Sequence, residues 1–247
     1  MPSLDVEVIE ETVLSSEYQG KEPTKPEETE FYEPVVPVVK KDNNGIPSDA
    51  IVLFNGDNLD HWESAKDQTE AKWHLNEDGS MTVNDKTGNI QTKQKFGDIQ
   101  LHIEWRSPKE IQREGQNRAN SGIFLSGKYE VQVLDNNDNS TYVNGQVGSV
   151  YKQHTPLVMA SVVSGEWNIY DIIYHSPEFD GAGLKIKSGT LTVLHNGILI
   201  QDHVEIKGTT PYIGWPKNPP HGKEPLLLQD HGDNSRVSFR NIWVREL

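Results

Sequence analysis

Beyond Ala50 the chain reads as short β-branched runs broken by Gly, Asn, Asp and Pro, a pattern that predicts strands rather than helices. The clearest run is Asp98–Arg106. There Ile99, Leu101, Ile103 and Trp105 alternate with Gln100, His102, Glu104 and Arg106, which gives one apolar and one polar face. Lys128–Leu134 and Trp167–Tyr174 follow the same logic, and Leu191–His195 is joined to Ile198–Gln201 through Asn196-Gly197, a strong two-residue hairpin signal. Near the C-terminus Val237 and Phe239 alternate in one phase and Ile242 and Val244 in the other, which predicts a bulge at Arg240-Asn241 in a strand that closes the core. About a dozen strands are expected in all, with no convincing amphipathic helix and no repeat of solenoid or propeller period. The expected fold class is all-β, a sandwich or barrel of antiparallel strands.

Residues 1–47 differ. They carry acidic runs, prolines at 23, 26, 34, 37 and 47, and no sustained apolar period, which is the composition of a tail or linker. Within them Tyr32–Val39 is apolar enough to lie extended along a domain surface, since each proline biases its predecessor toward β or polyproline geometry, and the alternative is a fully disordered tail. The expected organisation is therefore a tail over 1–47 and one large β domain over 48–247, which suits a chain of 247 residues.

The net charge of −14 is concentrated at the start, where residues 1–34 hold ten acidic and two basic side chains. The rest carries 27 acidic against 21 basic, a balance poorly suited to tracking along phosphates, so nucleic acid is not an expected partner. No run approaches the roughly 20 apolar residues of a membrane span. The absence of cysteine excludes disulfides, thiolate zinc sites and cysteine nucleophiles. Met1–Glu7 has neither the basic nor the apolar region of a secretory signal, so the expectation is a cytoplasmic protein or a signal lying outside this sequence.

Candidate chemistry is spread over several strands. Glu104 and Arg106 leave the same face of one strand, Glu130 and Gln132 repeat that spacing on another, and Asp135 follows at its end. If these faces belong to one concave sheet they converge on one cleft; otherwise they are cross-strand pairs on a solvated face. Asn120-Ser121-Gly122 reads either as a cleft rim or as turn chemistry. His231, in Gln229-Asp230-His231-Gly232-Asp233, reads either as a base or as a structural hydrogen bonder. Asp78, Asp135, Asp138 and Asp233 could hold a calcium ion in loops, although their spacing matches no EF-hand. There is no Gly-x-Ser-x-Gly, phosphate loop, dinucleotide fingerprint or His-Glu-x-x-His, so serine hydrolase, nucleotide and zincin chemistries drop away.

A series of short motifs occurs in one family's order. It runs Leu53-Phe54-Asn55-Gly56-Asp57-Asn58-Leu59 then Trp62, Phe96-Gly97-Asp98 into His102–Arg106, Asn120–Ile123, and Tyr129-Glu130-Val131-Gln132-Val133-Leu134-Asp135. It continues with Gly148 before Tyr151, Glu166-Trp167-Asn168, His195-Asn196-Gly197, Leu228–Gly232 and Val237–Ile242. Over residues 48–247 the chain resembles the 3-keto-disaccharide hydrolase domain family. The resemblance implies a concanavalin-A-like jelly-roll sandwich with sugar on its concave sheet, and a bacterial, exported or periplasmic setting that conflicts with the missing signal.

The resemblance further implies action on glycosides whose C3 hydroxyl a partner sugar 3-dehydrogenase has oxidised to a ketone. The ketone acidifies the C2 proton, so a base can remove it, the C1 substituent can leave by β-elimination, and water can add to the enone. On this reading Glu104 or His231 is the base, Arg106 or a divalent cation holds the enolate, and Glu130 or Asp135 is the acid or a hydroxyl anchor. Asn120, Gln132 and Gln229 bind hydroxyls and Tyr151 flanks the ring. The alternatives are a two-carboxylate glycosidase using Glu104 and Glu130, a lectin-like carbohydrate-binding module, and a structural surface domain.

Overall fold

The computed structural model describes residue 20 and residues 22–247, and the chain divides into two units between Lys40 and Lys41. Residues 1–19 and 21 of the expected acidic tail lie outside the described residues. Residues 22–40 contain one short 3₁₀ turn, Pro26–Glu28, and otherwise no regular structure, as five glutamates and four prolines in that stretch would suggest.

The second unit is built from fifteen strands. The first five are β1 (Ile51–Phe54), β2 (Trp62–Ser64), β3 (His74–Leu75), β4 (Met81–Thr82) and β5 (Ile90–Phe96). Next come β6 (Ile99–Arg106), β7 (Ser121–Leu125), β8 (Tyr129–Val133), β9 (Asn168–His175) and β10 (Glu178–Phe179). The last are β11 (Lys185–Lys187), β12 (Thr190–His195), β13 (Ile198–Glu205), β14 (Glu224–Leu228) and β15 (Ser238–Glu246). They form an eight-stranded sheet in the order β13-β12-β9-β6-β15-β4-β3, with β1 also on β15, and a five-stranded sheet in the order β2-β5-β14-β7-β8. β10 and β11 make a separate hairpin. Every pairing in both sheets is antiparallel, so the expected all-β sandwich is what the chain adopts.

One core lies between the sheets. Leu101, Ile103 and Trp105 of β6 and Tyr170 and Ile172 of β9 contribute from the larger sheet, and Ile123, Leu125, Val131 and Val133 of β7 and β8 from the smaller. Period-2 alternation therefore aims the intervening polar residues of the two sheets at opposite outer surfaces. The motif Leu53 to Trp62 is structural: the Trp62 indole N–H donates to the Leu53 carbonyl at 2.9 Å inside the core.

β12 and β13 meet as expected, His195 facing Ile198, with Asn196 and Gly197 both at positive φ as a type I′ turn requires. The bulge in β15 falls between Arg240 and Trp243 in its pairing with β6, with Asn241 left-handed at φ 46°. That irregularity is what lets Val237, Phe239, Ile242 and Val244 all reach the core despite their change of phase.

Candidate active site

β8 departs from simple alternation because all five of its residues are buried. It is the edge of the smaller sheet, and a following segment covers that edge. Gln132 N donates to Ser149 O and Tyr151 N to Glu130 O, each at 3.0 Å, which brings Tyr151 against the outward side chains of β8. On the other side, Gln229 N donates to Gly122 O at 3.0 Å and Ser121 Oγ to Gln229 O at 2.8 Å, so the end of β14 is fixed beside β7. Thr210 is held to β8 as well, accepting from Glu130 N at 3.2 Å and donating to Lys128 O at 3.1 Å.

These contacts frame an open cleft of about 130 Å³ on the outer face of the smaller sheet. Its floor is Glu130, Gln132 and Phe124, and its walls are Asn120, Gln229, His231, Tyr151, Thr210 and Tyr212. The space is close to the ~150 Å³ that accepts a benzene ring, so one six-membered ring fits.

Glu130 is the chemical centre of this cleft. Its residue is 5% exposed, and burial pushes its carboxyl up to about 8, so it is neutral near pH 7. Around it, three side-chain amide oxygens are buried without a partner: Asn120 Oδ1, Gln132 Oε1 and Gln229 Oε1. Two of these amides are fixed by their own nitrogens. Asn120 Nδ2 donates to Gln116 O at 2.6 Å, and Gln132 Nε2 donates to Gly145 O at 3.1 Å. Buried acceptors left unpaired cost about 1–3 kcal/mol each, and ligand hydroxyls would satisfy them.

His231 Nδ1 lies 3.0 Å from Asp233 Oδ2, at ion-pair distance though outside hydrogen-bond geometry, so a carboxylate backs the imidazole. On the opposite wall the Tyr142 and Tyr151 hydroxyls meet at 2.5 Å. The Lys152 ammonium donates to Tyr212 O at 2.5 Å and sits over the Tyr212 ring, 4.5 Å from its centroid.

Three expected site residues are elsewhere. Glu104 and Arg106 lie on the outer face of the larger sheet, with the whole core between them and Glu130, so the expected convergence of both polar faces on one cleft does not occur. Glu104 accepts from Arg240 Nε at 2.7 Å and Asn241 Nδ2 at 2.9 Å. Burial would raise its carboxyl, but the His102 imidazole 3.8 Å away and the hydrogen bonds from Asn241 and Arg240 hold it down at about 2. Arg106 donates to Asp78 at 2.6 Å, and it and Arg240 both stack on Trp167, at 4.5 and 4.1 Å from the ring centroid. The Glu104–Glu130 pair of a two-carboxylate glycosidase is excluded on the same ground, because no single glycosidic bond reaches both.

Asp135 is buried beneath the loops, accepting from Ser164 Oγ at 2.7 Å and Asn137 Nδ2 at 3.0 Å, with Arg118 Nε at 3.3 Å. It is tied down and does not line the cleft. Of the possible calcium ligands Asp78, Asp135, Asp138 and Asp233, three (Asp78, Asp135 and Asp233) are each held by different partners, and no group of three or more His, Asp or Glu side chains is placed to hold a metal among the described residues. No helix among the described residues is long and apolar enough to cross a membrane.

A family model described as the 3-keto-alpha-glucoside-1,2-lyase-like domain matches residues 49–245. The chain belongs to this family. Membership places the 3-keto-alpha-glucoside-1,2-lyase-like domain seen here among carbohydrate-active enzymes. A crystal structure from Parabacteroides distasonis, described as a "putative glycosyl hydrolase", is 53% identical, with a TM-score of 0.88 over 92% of this chain and 99% of that one. Two further structures with the same description and organism share the fold alone. They are 18% and 21% identical, cover 80% of this chain and 94% and 99% of their own, and give TM-scores of 0.58 and 0.54. No curated protein matches the sequence.

Of the sequence candidates, this lyase-like domain brings Glu130, Gln132, Asn120, Tyr151, Gln229 and His231 together. Thr210, Tyr212 and Phe124 were not anticipated, nor was the Lys152 contact. Thr210 and Tyr212 come from a Gly/Pro-rich loop whose sequence has no period to read, and Phe124 was indistinguishable from a core residue.

Proposed function

We propose that the domain hydrolyses the glycosidic bond of 3-keto-glycosides by elimination and hydration, with His231 as base and Glu130 as acid. The observation that carries the reading is a neutral, buried carboxyl set beside three unpaired amide oxygens and facing an imidazole. An acid that keeps its proton to about pH 8 can give it to a departing oxygen at neutral pH. The amide oxygens of Asn120, Gln132 and Gln229 would accept from hydroxyls of one sugar ring.

The C3 ketone makes the C2–H bond acidic. His231 takes that proton, the electron pair forms the C1–C2 double bond, the C1–O bond breaks, and the leaving oxygen takes the proton of Glu130. The enone is then hydrated in the reverse sense. Ionised Glu130 removes a proton from water as its oxygen bonds to C1, and the imidazolium returns a proton to C2. Both residues end as they began, and one water is consumed. The ketone has to be supplied by an enzyme that oxidises the C3 hydroxyl, a sugar 3-dehydrogenase.

The test is product release from 3-keto-glucosides and 3-keto-trehalose against their unoxidised parents. Cleavage confined to the keto forms and lost in Glu130→Gln and His231→Ala supports the reading. Cleavage of the parents contradicts it, and sugar binding with no turnover of any form would make the domain a lectin-like module.

A further inference from the structure

Most polar side chains of the cleft are on one side, and on the other the Tyr142 and Tyr151 hydroxyls are engaged with each other. Glu130, Gln132, Asn120, Gln229 and His231 belong to the sheet floor and the wall beside it, and together they serve about one ring. The opposite rim is made of the loop that carries Tyr212.

That loop is closed at its base, where Thr209 N donates to Lys217 O at 2.8 Å and Lys217 N donates back to Thr209 Oγ1 at 3.1 Å. Lys152 pins its middle through the Tyr212 carbonyl. Gly214, at φ 106°, turns the tip, and the residues on either side face solvent: Ile213 is 83% and Trp215 87% exposed. Trp215 is three residues beyond Tyr212, so its Cα lies within about 11 Å of that of the residue lining the cleft.

From this rim we infer an aglycone subsite that takes a planar apolar group, so that the preferred substrates are aryl glycosides. The inference rests on the function proposed above and extends it to the leaving side of the scissile bond. Tyr212 presents its ring to the cleft, and Ile213 and Trp215 extend the same loop with exposed apolar surface. They offer a second sugar little for its hydroxyls, since the nearby ammonium of Lys152 is already engaged by Tyr212. An aromatic aglycone stacks on such a surface and demands no hydrogen bonds.

The experiment compares phenyl and methyl glucosides of one anomeric configuration. Binding of the unoxidised pair is measured by calorimetry and turnover of their 3-keto forms by product release, in wild type, Trp215→Ala and Trp215→Phe. Wild type is expected to favour phenyl over methyl by about fivefold in Kd and in KM, with Trp215→Ala removing most of that preference and Trp215→Phe keeping part of it. A preference that survives Trp215→Ala, or a wild type that binds a disaccharide better than the phenyl glucoside, overturns the subsite. Because the binding arm needs no chemistry, lost selectivity in Trp215→Ala supports the subsite even if no keto form is cleaved, and that failure would fall on the mechanism alone.

Discussion

The Glu130 carboxyl rests on the bare backbone of Gly122, so close that a β-carbon built at position 122 would lie 2.5 Å from Glu130 Oε1. The same β-carbon would meet Phe124 Cε2 at 2.8 Å. Gly122 is thus the seat that lets an acidic side chain lie flat on the cleft floor. The atoms it would strike are ends of side chains, so Gly122→Ala is expected to fold and to displace the carboxyl. We predict a loss of about 10²-fold in kcat/KM with KM changed much less, measured on a 3-keto-glucoside. Unchanged kinetics would remove Glu130 from the reaction.

The leaving group should report on Glu130 directly. If it protonates the departing oxygen, Glu130→Gln costs about 10²–10⁴-fold with an alkyl or sugar leaving group and far less with 4-nitrophenolate, which departs without a proton. Rates of the two substrates in wild type and variant give the comparison. An equal loss on both would contradict the role of acid.

The pH dependence has a definite sign. Glu130 must be protonated to act, and burial holds its carboxyl at about 8, so kcat/KM should fall as pH rises through 8. The same shift costs stability. Between 4.5, its ordinary value, and 8 the unfolded carboxyl has released its proton and the folded one has not, which disfavours folding by about 1.4 kcal/mol per pH unit. Glu130→Gln should therefore melt above wild type at pH 8, and the difference should shrink to nothing below pH 4.5, as followed by thermal denaturation.

On the far face of the sandwich the expected effect is on stability. Burial would lower the His102 imidazole, but the hydrogen bond to Asp171 and the Glu104 carboxylate 3.8 Å away raise it to about 9. Its raised value adds stability that is complete below 6.5 and lost as pH climbs through 9. The depressed Glu104 adds stability present above 4.5 and lost as pH falls through 2. The His102 ring also stacks on Trp243, with centroids 5.0 Å apart. Glu104→Gln should cost about 2 kcal/mol in urea unfolding at pH 6 while leaving 3-keto-glucoside turnover near wild type. A large loss of turnover with stability intact would place Glu104 back in the chemistry.

Much of the fold could be read from the chain because strands announce themselves by alternation. Asp98–Arg106, the Asn196-Gly197 turn and the phase change at Arg240-Asn241 each carry their geometry locally. The site was half legible. Alternation showed that Glu104 pairs with Arg106 and Glu130 with Gln132, but a period of two says only that residues share a face, never which sheet that face belongs to. Both pairs obey the rule equally, and tertiary pairing sent one to each side of the core. Asn120-Ser121-Gly122 reads either as turn chemistry or as a cleft rim because the reason for its glycine, a carboxyl group from the neighbouring strand, lies eight residues away. Tyr212, Lys152 and Trp215 sit in or beside loops, where sequence has no period and function is placed by the scaffold.

The central claim is that cleavage begins with loss of the C2 proton, and solvent exchange tests it most directly. A 3-keto-glucoside is cleaved in D₂O and the released 3-keto-sugar is examined by NMR at C2. Deuterium at C2 in the product, with a primary isotope effect when the substrate is deuterated there, is the predicted result. Protium retained at C2 together with no primary isotope effect would contradict the account.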